Sequence, residues 1–217
     1  ITSFSNGKLV KLDPNGEGIF TRTYNLDGKL YGIDYRSGLL VVSDFANNKV
    51  FIINTDGKIV KTIGRTGNTE GQFNGPEGVC FGGDSSLYVV DSGNHRVQKF
   101  GLDGRFILAF GQFGEYEGQL NKPTDVAVRY ENVYVTDTNN KRIAVFDDSG
   151  NFVENLTPSE FAVPRGIFIQ GNLMAVSDEK KGLFMYNFDT GQSQWFVSWE
   201  GKKKFYAYVR IHSENKN

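Results

Sequence analysis

The sequence predicts an all-β fold, a propeller of four-stranded blades, on three observations. An apolar alternation closing on Asp recurs at Asp44, Asp91, Asp137 and Asp178, with a degraded copy at Ser3, giving spacings of 41, 47, 46 and 41 residues. Tight-turn chemistry follows each copy at a similar distance, and no segment sustains a helical period. Period-2 alternation inside a repeat in the forties is the signature of propeller blades.

Each unit reads as four short strands. In the second full copy, strand A is Gly78 to Phe81, strand B Leu87 to Val90, strand C Arg96 to Phe100 and strand D Phe106 to Phe110. Val, Ile, Phe and Tyr fill these segments because branched and aromatic side chains pack well on a pleated surface. The C–D connections are Pro14-Asn15-Gly16, Thr55-Asp56-Gly57, Leu102-Asp103-Gly104 and Asp148-Ser149-Gly150. Glycine there supplies the positive φ that closes a short hairpin.

Asp91-Ser92-Gly93-Asn94-His95-Arg96-Val97-Gln98 resembles the core of the NHL repeat, and Asp137-Thr138-Asn139-Asn140-Lys141-Arg142-Ile143 is a close variant. The lead-ins Gly71-Gln72-Phe73-Asn74-Gly75-Pro76 and Gly118-Gln119-Leu120-Asn121-Lys122-Pro123 are similar to that family's as well. The resemblance is strong over 64–150, fair over 30–63 and 160–190, and weak at both ends. It implies one propeller domain over 1–217, with blades near 26–66, 67–113, 114–158 and 159–203. A composite blade is expected from 1–25 plus 204–217, where Phe205 to Ile211 reads as a closing strand A. That makes five blades and leaves no open sheet edge; the alternative is a truncated six-bladed ring, the number more common in the family.

Composition bounds the function. No apolar run approaches the roughly 18 residues needed to span a bilayer, and a formal charge of −1 gives no general attraction for polyanions. Neither membrane nor DNA is an expected partner. The start at Ile1, without Met or a signal-peptide pattern, predicts a domain cut from a longer protein or a processed product. One cysteine, Cys80, excludes an internal disulfide and fits a reducing, cytoplasmic setting, with secretion left open by the truncated start. A single acceptor motif, Asn155-Leu156-Thr157, accompanies a third reading as a secreted or surface lectin-like propeller.

Strand order places the B–C turns and the D–A connections on one face, where loops on a rigid scaffold carry function. The repeated Asp reads as a turn cap that accepts backbone N–H bonds, not as a ring of metal ligands. His95 and His212 with Cys80 do not make a zinc set, and no Ser–His–acid triad assembles. No cofactor or metal is expected. The paucity of histidine also argues against the amidating-lyase relatives of this family, which depend on several.

Charge breaks the repeat. Lys180 and Lys181 replace the Asn-rich turn of the last full blade, Lys202, Lys203 and Lys204 lie in the following connection, and Arg165 lies in the preceding one. Trp199 and Tyr206 flank them as stacking surfaces. Lys122, His95 and Arg96 complete the candidate partner-binding set, while Glu70, Glu77, Glu115 and Glu117 make the opposite sector acidic. The resemblance implies a non-catalytic recognition module, as in the C-terminal domains of tripartite-motif ligases, binding a protein or a single-stranded or hairpin RNA. The alternative is a calcium-dependent hydrolase or lactonase-like enzyme using Glu77, Asp125 and Asn74 at the central channel.

Overall fold

In the computed structural model the described residues are 11–12, 19–20, 28–157 and 161–197. The chain opens with a two-stranded antiparallel sheet, β1 (Lys11–Leu12) and β2 (Ile19–Phe20). Four four-stranded antiparallel sheets follow, each in simple up-and-down order. Blade 1 is β3 (Leu30–Arg36), β4 (Leu39–Asp44), β5 (Lys49–Asn54) and β6 (Ile59–Ile63). Blade 2 is β7 (Pro76–Phe81), β8 (Ser86–Asp91), β9 (Arg96–Gly101) and β10 (Phe106–Phe110). Blade 3 is β11 (Pro123–Arg129), β12 (Asn132–Asp137), β13 (Arg142–Asp147) and β14 (Phe152–Leu156). Blade 4 is β15 (Pro164–Gln170), β16 (Leu173–Asp178), β17 (Gly182–Asn187) and β18 (Ser193–Val197).

The strands of the four blades span 30–63, 76–110, 123–156 and 164–197. Strand A of blade 2 starts at Pro76, two residues before the alternation suggests, because Pro76 pairs with Asp91 across a register shift that ends at Val79. The same shift recurs from Leu30 to Ile33, Pro123 to Val126 and Pro164 to Ile167. A bulge breaks the period of two, so sequence alternation alone misses the first residues of the strand. β1 and β2 flank Pro14-Asn15-Gly16, as a C–D hairpin requires, but pair only with each other. The rest of the expected composite blade, residues 1–10, 13–18, 21–25 and 204–217, lies outside the described residues.

The A strands β3, β7, β11 and β15 lie against one another in succession and so form the inner wall. Alternation then sends each strand's side chains to one neighbouring blade or the other. Val41, Val50 and Ile52 meet Val79, Leu87, Val89 and Phe100 between blades 1 and 2. Tyr88, Val90 and Val97 meet Val133, Val135, Ala144 and Phe146 between blades 2 and 3, with Cys80 in the same buried cluster. Tyr134, Ile143 and Val145 meet Met174, Val176 and Phe184 between blades 3 and 4. The core between blades 1 and 4 is therefore a row of inter-sheet layers, and a further cluster of Leu30, Val42, Phe51 and Ile53 lies on the other side of blade 1.

Polar stitches run across those layers near the inner wall. The Ser43 hydroxyl donates to the Glu77 carbonyl of the next blade. Thr136 does the same to the Arg165 carbonyl at 2.8 Å and accepts from the Asp125 amide at 2.7 Å. The walls come so close that a Cβ at Gly32 would collide with the β7 backbone at Glu77. At the opposite rim, Arg36 reaches the Gly82 carbonyl, Lys99 the Asp148 carbonyl and Arg129 the Gly171 carbonyl, one staple at each blade boundary.

Thr136→Val keeps the shape and removes the stitch, leaving the buried Asp125 amide without its acceptor. The expected cost is about 1–3 kcal/mol, read as a lower urea midpoint with unchanged slope.

Candidate recognition face

The face formed by the B–C turns and D–A connections is organised by the repeated Asp. Asp44, Asp91, Asp137 and Asp178 are all buried. One oxygen of each of the first three accepts the backbone N–H of the incoming connection: Lys29 at 3.1 Å, Asn74 at 2.8 Å and Asn121 at 2.7 Å. In blade 4 a single oxygen takes both Ala162 and Val163, at 2.7 and 2.8 Å. The other oxygen of Asp91 accepts from Asn94, Arg96 and Gln98, and that of Asp137 from Asn140 and Arg142. Each Asp thus ties the turn ending its own strand to the loop entering its own blade, as the capping reading expects. Burial lifts the Asp137 carboxyl above its usual range, and the bonds from Asn121, Asn140 and Arg142 work against that shift.

The guanidinium groups extend the knot into the long connections. Arg142 is bound to Asp137 through Nε and donates to the Glu115, Tyr116 and Gln119 carbonyls at 2.8–3.0 Å. Arg96 does likewise with the Thr69 and Gln72 carbonyls at 2.7 and 3.1 Å. Asn94 and Asn140 add bonds to the Gly67 and Gly114 carbonyls. Arg96, a candidate partner contact in the sequence, has its charge and donors directed inward.

His95 adopts the left-handed conformation, φ 57°, and its Nδ1 accepts the Lys122 N–H of the next blade's connection at 3.0 Å. Asn48 holds the corresponding place in blade 1, φ 54°, and its Oδ1 accepts the Gly75 N–H at 2.6 Å. His95 is therefore a staple between blades. Its ring also meets Phe113 edge-on, centroids 4.8 Å apart. Burial, and then the Lys122 charge, hold its pKa below the ordinary value, with Asp137 opposing.

Glu77, grouped with the acidic surface by sequence, is instead buried beside the inner wall, with its side chain 5% exposed. It belongs to β7, inside the bulge that follows Pro76, and not to the connection before the strand. Lys122 Nζ stands 3.8 Å from Oε1, while Oε2 makes no hydrogen bond. Burial raises its pKa, and the Ser92 hydroxyl, Lys122 and Arg165 pull it back. Both oxygens of Asp125, the second acid of the calcium reading, accept backbone amides, from Val126 and Ile167. The Asn74 N–H is engaged by Asp91. Among the described residues no three of His, Cys, Asp and Glu converge to hold a metal ion.

The basic sector is only partly described. Arg165 pairs with Glu179 at 3.0 Å. The turn after β16 is one residue shorter than the others, since Asp178 pairs with Gly182 where Asp91 pairs with Arg96. Lys180 is exposed there, and Lys181 lies over the Trp195 ring at 5.8 Å. Trp199, Lys202, Lys203 and Lys204 lie outside the described residues. Asn155, of the acceptor motif, sits half-buried in β14 opposite Ala144.

The feature that sequence reasoning missed lies in the connection over 111–122. Its backbone repeats that over 64–75: parallel bridges join Thr66 to Phe73 and Phe113 to Leu120, and Gly67 and Gly114 share φ values of 153° and 155°. The side chains differ. Thr66 and Thr69 in the first loop become Phe113 and Tyr116 in the second, 66% and 81% exposed. Aligning the two lead-ins at their offset of 47 residues shows both substitutions directly. Two large aromatic side chains thus stand in solvent on a loop whose backbone is held by Arg142, Asn140 and the Leu120 anchor.

With this geometry in place, two sequence families match. The NHL repeat matches residues 73–100, and a family described as a 6-bladed beta-propeller matches 117–203. Together the two matches support an NHL-type propeller. The five-bladed closure read from the sequence is not supported: the described residues form four blades and the matched family has six. No curated protein matches the chain. Among solved structures, the chain resembles a streptogramin B lyase (TM-score 0.66, 17% identity, 88% of this chain and 62% of that one). It also resembles a chain of a nidogen/laminin complex (0.71, 14%, 88% and 72%). A third is virginiamycin B lyase from Staphylococcus aureus (0.63, 18%, 90% and 68%). The chain spans less than two thirds of the first lyase, and at these identities the likeness is one of fold.

Because the His95 pKa is depressed in the folded state, protonation favours the unfolded chain. Its contribution to stability is complete above the ordinary His value of about 6.5 and is lost as pH falls through the lowered folded value. His95→Asn imports the Asn48 solution, and it should flatten that part of the pH profile while keeping neutral-pH stability. The check is urea melts at neutral and mildly acidic pH; the raised pKa values of Glu77 and Asp137 act in both proteins and drop out of the comparison.

Arg142→Ala should leave the Asp137 carboxylate buried without its ion pair, at a cost of about 3–5 kcal/mol. Amide exchange over 111–122 should rise before that of the strands.

Proposed function

We propose that this propeller is a non-catalytic recognition module that binds a protein partner through the face of B–C turns and D–A connections. The observation that carries the reading is the pair Phe113 and Tyr116, exposed on a connection whose backbone is fastened to the blade. Exposed aromatics on a rigid frame make binding anchors because they bury a large area at low entropic cost. The equivalent positions in the preceding connection are Thr66 and Thr69, so the fold does not demand aromatic residues there. The nidogen/laminin complex, where a chain of similar fold occurs in an assembly with another protein, agrees with this reading.

The enzymatic reading rests on the lyase likeness, which is one of fold, and on Glu77 and Asp125. Their engagement in the inner wall speaks for a structural use of both. The RNA reading rests on a basic sector in which Arg165 is already paired with Glu179.

Affinity capture with the wild-type domain and with Phe113→Ser/Tyr116→Ser tests the proposal. Captured partners should fall about tenfold or more with the double variant, as loss of central aromatic anchors does. Val60→Ser, on the exposed outer strand β6, is the control and should change nothing. Equal capture by wild type and the aromatic double variant, with unchanged melting temperatures, would sink the reading.

A further inference from the structure

The chemistry around the two aromatics narrows the partner. Glu115 and Glu117 flank Tyr116 in sequence, and all three are exposed. The Glu115 and Tyr116 carbonyls are turned inward onto Arg142, so this segment meets solvent mainly through its side chains. The large cations of the neighbourhood do not offset these acids. Arg142 is bound to Asp137, Arg96 to Asp91, and Lys122 faces Glu77. Lys141, in the B–C turn of the same blade, adds one exposed cation against the two carboxylates. The preceding connection carries Thr66, Asn68 and Thr69 where Phe113, Glu115 and Tyr116 stand, and Glu70 where Glu117 stands, so both aromatics and one of the two acids are particular to this loop.

We infer that the Phe113–Glu117 crest binds a basic protein segment, its arginine or lysine side chains stacking on Phe113 and Tyr116 and pairing with Glu115 and Glu117. The inference rests on the recognition reading above and names its partner class. A cation over an aromatic face gains from the ring quadrupole, and a carboxylate beside that ring adds a charge-assisted hydrogen bond. Arginine suits the arrangement best, since its planar group can stack and pair at once. The same carboxylates oppose a phosphate backbone, so the aromatics are not a base-stacking platform for nucleic acid. The Phe113 ring already rests against His95, centroids 4.8 Å apart, which limits the entropy lost when a partner side chain docks.

A displayed library of short random peptides, selected on the wild-type domain, tests this directly. Enriched peptides should carry paired arginine or lysine. Their binding should weaken about tenfold with Glu115→Gln/Glu117→Gln, and further as salt rises, as expected when exposed charge pairs are removed. Phe113→Ala/Tyr116→Ala should abolish it. All four positions are exposed, so the variants should melt with the wild type. Enrichment of acidic peptides, or of peptides that need the aromatics but ignore both glutamates, overturns the basic-segment inference and leaves the recognition reading standing. Enriched peptides indifferent to all four residues overturn both. No enrichment overturns the inference, while the recognition reading is then judged by the capture experiment alone.

Discussion

The structure depends on one buried carboxylate per blade. Asp44, Asp91, Asp137 and Asp178 each bind the amide of the chain entering the blade and the turn leaving its second strand. A four-stranded sheet has no internal reason to fix where its entering loop lies. The Asp supplies that reason, and the Asn and Arg that follow it extend the hold along the connection. Removing the charge from water is tolerable because each carboxylate meets N–H donors from several directions. The face on which recognition is proposed is thus an outgrowth of the interaction that keeps the blades in register.

This arrangement separates scaffold from surface. Arg96 and Arg142 look alike in sequence to solvent-facing cations, yet their guanidinium groups are spent on loop carbonyls. His95 and Asn48 are chemically unlike, but both accept an amide from the next blade in the left-handed conformation. What remains free to vary is the outward side chain of each connection. Over 111–122 that freedom is used for two aromatics and an added carboxylate, Glu115, on a backbone that over 64–75 carries threonine and asparagine at those places.

Legibility in the sequence was uneven for physical reasons. The strands, the hairpin turns and the structural role of Asp follow from local alternation and turn chemistry, and so does the four-stranded make-up of the blades. Glu77 was assigned to the surface because a bulge after Pro76 shifts the alternation, and its burial puts it beside Lys122 instead of on an acidic rim. Phe113 and Tyr116 carry no charge and lie outside the alternating strands, so neither the charge pattern nor the strand period marks them. A comparison of the two lead-ins would have found them, since both share the same glycine positions.

By itself, the sequence determined that this chain is a β-propeller with one Asp-closed turn per blade, because strand period and turn residues act over a few neighbours. Only the tertiary structure decided which polar groups are spent and which are presented. Arg142 and Glu115 lie 27 residues apart in the chain, and the first immobilises the carbonyl of the second while leaving its carboxylate in solvent. That choice is made by the curvature that brings turn and connection together, a long-range geometry that no local pattern encodes.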